Sequence, residues 1–214
     1  MTGGGGPRWE WRGLVPYVAA LAEMRARREA VRERAAPEAI WLLEHPAVIT
    51  TGRRPVPGLP SGPDAALDGV PVVATERGGL ATAHGPGQLV GYLMVDAGRR
   101  GLGPQGVVER VEGVILALLD GLGIAAALRP GHRGVFVGRD KVCAIGLHFD
   151  RGVTAHGLAL NLDPDLDLFS RFVPCGITDG GVTSVARLRG DSPPPSALAA
   201  ALGEGLSRAL GPLP

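Results

Sequence analysis

Cysteine is scarce in this chain, with two in 214 residues. That density excludes a disulfide framework and points to a reducing, cytoplasmic setting. A surplus of one charge is also missing: 22 basic residues stand against 21 acidic ones. Nucleic acid, which selects a basic surplus, is therefore not an expected partner. No apolar run approaches the ~18 residues of a membrane span. The run LVPYVAALA at Leu14–Ala22 has the length of a secretory core, but it continues into a charged, amphipathic pattern that belongs to a folded helix. The densest glycine-rich stretch, Arg77–Tyr92, has neither the G-x-x-x-x-G-K-[ST] nor the G-x-G-x-x-G form, so no nucleotide cofactor is expected. The five histidines form no His-x3-His or Cys/His cluster, so no metal is expected either.

Glycine (34) and proline (19) are plentiful, so tight turns and loops should be too. The length fits one domain over 14–214, preceded by a flexible tail at 1–13 that opens MTGGGGP. A helix is expected at Val18–Arg34, from Val18, Leu21 and Met24 at helical spacing. A buried strand is expected at Ala39–Pro46, a short one at Pro71–Thr75 and a longer one at Gln88–Ala97. The clearest helix is Pro104–Leu122, where Val107, Val108, Val111, Ile115 and Leu119 follow one stripe. A three-strand meander follows, turning at Gly138–Asp140 and Asp150–Gly152. A last helix should begin at a capping Ser196. Together these predict an α+β fold, a mixed and largely antiparallel sheet flanked by helices.

Against that frame, RFVPCGITDGGVTSV (Arg171–Val185) lacks any helix or strand period. Cys175 stands there between a proline and a glycine, either as a small buried hydrophobe or as a nucleophile presented on a loop. Cys143, within VCAI, reads as core strand. Lys141 is either a solvated strand-end residue or a cation that favours a thiolate. RGGLATAHGPGQLVGY (Arg77–Tyr92) is either a joining loop or a backbone that approaches a ligand closely. TAHG occurs twice, at Thr82–Gly85 and Thr154–Gly157, as if marking two similar loops at one site.

LEHPAVITTGRR, RGGLATAHGPGQLVGY, KVCAIG, GVTAHGLALNLDPDL and VPCGITDGGVTS, in that order, resemble the octanoyltransferases of protein lipoylation. The resemblance implies a fold similar to the lipoate and biotin protein ligases, and one catalytic domain. It implies a dyad in which Cys175 carries an acyl thioester while Lys141 lowers its pKa and moves protons. Acyl-substrate contacts are implied at Arg77, Gly78, Gly79, Leu80, Ala81, Thr82, Ala83 and His84, at Ala144, Ile145 and Gly146, and at Gly157, Leu158 and Ala159. The implied donor is octanoyl-acyl carrier protein. The implied acceptors are lipoyl domains of 2-oxoacid dehydrogenase complexes and the glycine-cleavage H protein. No ATP is implied. Backbone amides at Gly176 or Gly78–Gly79 are candidates for an oxyanion hole. Arg53, Arg54 and Arg77 are candidate contacts for an acidic carrier or its phosphopantetheine phosphate, or else solvated. The chain departs from the family at Ala83, where an aromatic is common, and at Ala155; both expectations remove bulk beside the acyl slot. The alternatives are a lipoate/biotin-type ligase, a cysteine hydrolase using His84 or His156 as base, and a non-catalytic lipid- or carrier-binding module.

Overall fold

The computed structural model describes residues 6–54, 56–172 and 180–213. Its main sheet has seven strands: β1 (Arg8–Leu14), β2 (Ala39–Glu44), β7 (Gln88–Met94), β11 (Val153–Asn161), β10 (Asp140–Asp150), β9 (His132–Val137) and β8 (Ala127–Arg129), in that spatial order. All neighbours are antiparallel except β1 and β2. The meander forms as expected. Asp150 pairs with Val153 across Arg151 and Gly152, both at positive φ, which is the two-residue turn that matches strand twist.

Side chains alternate across this sheet. Ile40, Leu42, Leu89, Leu93, Leu158 and Leu160 face α2 (Pro104–Gly121) and α4 (Pro195–Leu210) in the largest core. Trp41, Leu43, Val90, Tyr92 and Met94 face α1 (Tyr17–Arg32) on the other side. α1 buries Tyr17, Ala20, Leu21, Met24 and Val31. Val18, expected on the buried stripe, is 65% exposed, because the face turns on Tyr17 instead. Pro104 begins α2 as expected. Ser196 does not cap α4: Pro194 precedes the helix without a side-chain cap, and Ser196 lies within it.

The expected tail at 1–13 is corrected over Arg8–Gly13, which lie in β1. In RWEWRGL the tryptophans alternate with charges, and Trp9 and Trp11 pack on the largest core. Gly203 of α4 leaves room for the Trp9 indole.

A smaller sheet runs β4 (Ala66–Leu67), β5 (Val70–Ala74), β3 (Val48–Thr51) and β6 (Ala81–His84) in spatial order. With Leu168 and Phe169, its Ile49, Val72 and Ala83 form a third cluster. Short α3 (Val185–Arg189) is capped by the Ser184 hydroxyl, which accepts from the Arg187 amide. Among the described residues no helix is long and apolar enough to cross a membrane.

Candidate active site

Between the small sheet and the α1 face of the main sheet lies a cleft of about 510 Å³, counted out to its mouth. Two loop contacts shape it. The Gly78 amide donates to the Leu147 carbonyl of β10 at 3.2 Å, and the Gly52 amide to the Leu80 carbonyl at 2.9 Å. Gly157 on β11 is required by space, since a Cβ there would run into the Gly91 carbonyl of β7.

Arg77, Gly78, Gly79, Thr82, His84, Lys141, Ala144, Ile145, Gly146, Gly157, Leu158 and Ala159 line the cleft together. They come from three strands, β6, β10 and β11, and one loop. Leu80, Ala81 and Ala83 do not line it. On β6 the side chains of Thr82 and His84 turn to the cleft, whereas Ala83 packs in the third core cluster. The two TAHG stretches lie within strand pairings rather than forming matching loops, but both histidines reach the same cleft.

A directed hydrogen-bond chain crosses the site. Gln88 Nε2 donates to the Ala83 carbonyl and to Asn161 Oδ1, which leaves Gln88 Oε1 to accept from His84 Nδ1–H at 2.7 Å. His84 Nε2 is then the acceptor of the Thr50 hydroxyl at 3.3 Å, and Thr50 Oγ1 accepts from the Arg77 guanidinium. Arg77 is buried and also donates to the carbonyls of Thr50 and Gly78, so it is a strut of the cleft rather than a surface contact. At the other end, Asn161 Nδ2 donates to the Thr183 carbonyl at 3.0 Å.

Burial sets the protonation of this cluster. It lowers His84 to about 3, with repulsion from His45 adding to the effect, and lowers His45 to about 4. Burial likewise lowers His156 and pushes Tyr17 up to about 12. Glu76 is held far below the usual carboxylate range by His156, 3.6 Å away, and by the Arg25 guanidinium. With both ring nitrogens engaged and its pKa depressed, His84 is poorly suited to serve as a base at neutral pH.

Lys141 is 8% exposed, with its ammonium 5.1 Å over the Phe136 ring. It forms no ion pair among the described residues. Its backbone is bound on one side by residues 181–183: the Lys141 amide donates to the Gly181 carbonyl, and the Thr183 amide to the Lys141 carbonyl, both at 3.0 Å. Cys175 lies outside the described residues, with the rest of 173–179. Cys143 is fully buried, and burial pushes its thiol up to about 12, so it stays protonated.

Composition marks several site residues. Lys141 is the only lysine in the chain, the other 21 of its 22 cations being arginines. An ammonium can release a proton at moderate cost, whereas a guanidinium cannot. The chain's only two tyrosines, Tyr17 and Tyr92, both line the cleft. Tyr17 stacks on His84, and the Tyr92 hydroxyl meets His45 Nε2 at 2.8 Å. Thr50 and His45 sit behind them.

The profile of the lipoyl protein ligase A/B catalytic domain matches residues 16–207. The chain belongs to that family. The octanoyltransferase of Dinoroseobacter shibae is 44% identical over 189 residues, which span 82% of this chain and 84% of that protein. That of Rhizorhabdus wittichii is 44% identical over 188 residues, spanning 84% and 82%. Among solved structures, lipoate-protein ligase A bound with ATP superposes with a TM-score of 0.68 at 17% identity, covering 96% of this chain and 85% of that one. Biotin protein ligase from Aquifex aeolicus gives 0.53 at 12%, covering 96% and 69%. The expected ligase-like fold is therefore observed.

For a lipoyl protein ligase A/B catalytic domain, the expected effect of Ala83 and Ala155 needs correction. Ala83 packs against Ile49 and Val72, and Ala155 against the α1 core. Neither lines the cleft, so neither widens it directly.

Proposed function

We propose that this chain is an octanoyltransferase that passes an octanoyl group from acyl carrier protein, through a thioester on Cys175, to a lysine of a lipoyl domain in lipoate cofactor biosynthesis. Lipoyl domains of 2-oxoacid dehydrogenase complexes and the glycine-cleavage H protein are the acceptors, in the cytoplasm. The observation that carries this reading is the position of the chain's one lysine. Lys141 stands at the cleft and is backbone-bonded to Gly181 and Thr183, just after the segment that contains Cys175.

In the first step the Cys175 thiolate attacks the donor carbonyl, and the carrier thiolate leaves, taking a proton from the Lys141 ammonium. In the second, the neutral acceptor amine attacks the Cys175 thioester. Its proton goes to the now neutral Lys141, the Cys175 thiolate departs, and an amide remains. The first step consumes the Cys175 thiolate and the Lys141 ammonium, and the second regenerates both. The Gly78 amide is engaged by Leu147, so Gly79 and the amides around Gly176 are the donors for the developing oxyanion. Burying seven aliphatic carbons of the acyl chain contributes ~5 kcal/mol at ~0.8 per CH₂. Val90, Leu158 and Ile145 supply apolar wall for it.

The test is transfer from octanoyl carrier to a lipoyl domain without ATP, read as added mass on the acceptor. Amide product without ATP is expected. Product formed only from ATP plus free octanoate would establish the ligase alternative, and free fatty acid without amide would establish the hydrolase.

A further inference from the structure

A second trough adjoins the acyl cleft. It encloses about 1210 Å³ counted out to solvent, and it shares Gly78, Gly79, Lys141, Ile145 and Gly146 with the cleft. Lys141 therefore stands where two chambers meet. The chambers differ in chemistry. The trough presents Arg53, Arg54, Arg133 and His132, and no aspartate or glutamate lines it. In a chain with 22 basic and 21 acidic residues, that is a local segregation of charge.

The arginines of the trough also differ from the paired ones elsewhere. Arg12, Arg25, Arg32 and Arg100 pair with carboxylates. Among the described residues, Arg53, Arg54 and Arg133 have no such partner, and all three are exposed. The wall also includes Pro104, the first residue of α2, whose first turn carries no acidic side chain. The helix dipole adds positive potential there.

We propose that this trough binds the phosphate on the thiol arm of the acyl donor, with Arg53, Arg54 and Arg133 as its ligands. This rests on the acyl-transfer reading and deepens it. A thioester joins an acyl chain to an arm, so a donor reacting near Lys141 must extend both ways from it. The apolar chamber suits the chain. The cationic chamber suits an arm that ends in a phosphoester, which guanidinium groups bind with charge-assisted and bidentate hydrogen bonds.

Two small donors that differ only in that phosphate test the assignment: octanoyl-pantetheine and octanoyl-4′-phosphopantetheine. Charge-assisted hydrogen bonds are each worth about 1.5–3 kcal/mol. The native protein should therefore favour the phosphorylated donor by at least about tenfold in kcat/KM, with the preference shrinking as salt rises. In R53Q/R54Q/R133Q the ratio of the two donors should fall to about one. Equal kcat/KM for both donors in the native protein would overturn the proposal, and so would a triple variant slowed with both donors at an unchanged ratio. Octanoyl-pantetheine turnover distinguishes the levels of failure. If the native protein uses it, the acyl-transfer reading stands whatever the phosphate does. If neither donor reacts, that reading fails and the trough's role with it.

Discussion

The Thr183 backbone N–H donates to the Lys141 carbonyl at 3.0 Å, while the Thr183 carbonyl accepts from the Asn161 amide at the same distance. The chain emerging from 173–179 is thus pinned to the strand of the site lysine, and through Gln88 that pin reaches His84 in the cleft. Asn161→Ala should leave the Thr183 carbonyl and a Gln88 donor unpaired, at about 1–3 kcal/mol of stability. It should also slow transfer more than it raises donor KM, because it frees the backbone beside Lys141. Urea unfolding and steady-state kinetics together check this; a variant as stable and as active as the native protein would remove Asn161 from a positioning role.

Lys141→Ala and Lys141→Arg separate two duties of one side chain. Alanine removes both charge and proton transfer. Arginine keeps the charge but cannot exchange the proton. Iodoacetamide alkylation of Cys175 at neutral pH should be slowed in Lys141→Ala and largely retained in Lys141→Arg. Transfer to the lipoyl domain should fall about 10²–10⁴-fold in both, the range typical of a lost general acid–base. Full transfer by Lys141→Arg would remove the proton-shuttle role.

Chain length should be read by Tyr17 rather than at position 83. Tyr17 is 5% exposed and stacked on His84 in the cleft wall, so Tyr17→Ala should shift preference from C8 toward C10 and C12 donors. Ala83→Tyr should instead overpack the cluster around Ile49 and Val72, costing about 1–3 kcal/mol of stability and leaving the C8/C12 ratio alone. Competition between the two donors, read by acceptor mass, checks both variants.

Stability should fall in mild acid. His84 and His45 are held neutral at about 3 and about 4, below the ordinary histidine value of 6.5. The unfolded chain therefore binds more protons than the folded one below about pH 6.5. The contribution of these histidines is fully present above that pH and is lost as pH falls toward their folded values. Between pH 6.5 and 5 the loss should be about 2 kcal/mol per histidine. Urea midpoints at pH 5, 6 and 7 for the native protein and for H45Q/H84Q test this: the double variant should show the shallower slope, and parallel slopes would contradict the assignment.

Much of the fold was legible where a single period ran uninterrupted. α2 announced itself through its valine and leucine stripe, and the meander through turns at Gly138 and Arg151–Gly152. β1 was hidden because a glycine run precedes it, although Trp9 and Trp11 alternate with charges. β3 and β6, four residues each, are too short to show alternation, and β6 lies in a glycine-rich stretch as well. The cleft was legible through Arg77–Gly79, Thr82, His84, Ala144–Gly146 and Gly157–Ala159, but Leu80, Ala81 and Ala83 were wrongly included because no strand had been recognised there. Tyr17, His45, Thr50 and Tyr92 meet only because the β2–β7–β11 order and α1 bring distant segments together, and no local pattern carries that. The lone lysine among arginines was a compositional signal in plain view.

The most direct test of the relay is the intact mass of the protein itself, followed through a single turnover. After mixing with octanoyl carrier, the native protein should gain one hydroxylamine-labile octanoyl group on Cys175. On adding a lipoyl domain, that mass should leave at the rate at which the amide appears on the acceptor, and Cys175→Ser should show neither the labile adduct nor the product. Amide formation by Cys175→Ser at the native rate, or product that appears before any acyl group has resided on Cys175, would contradict the account.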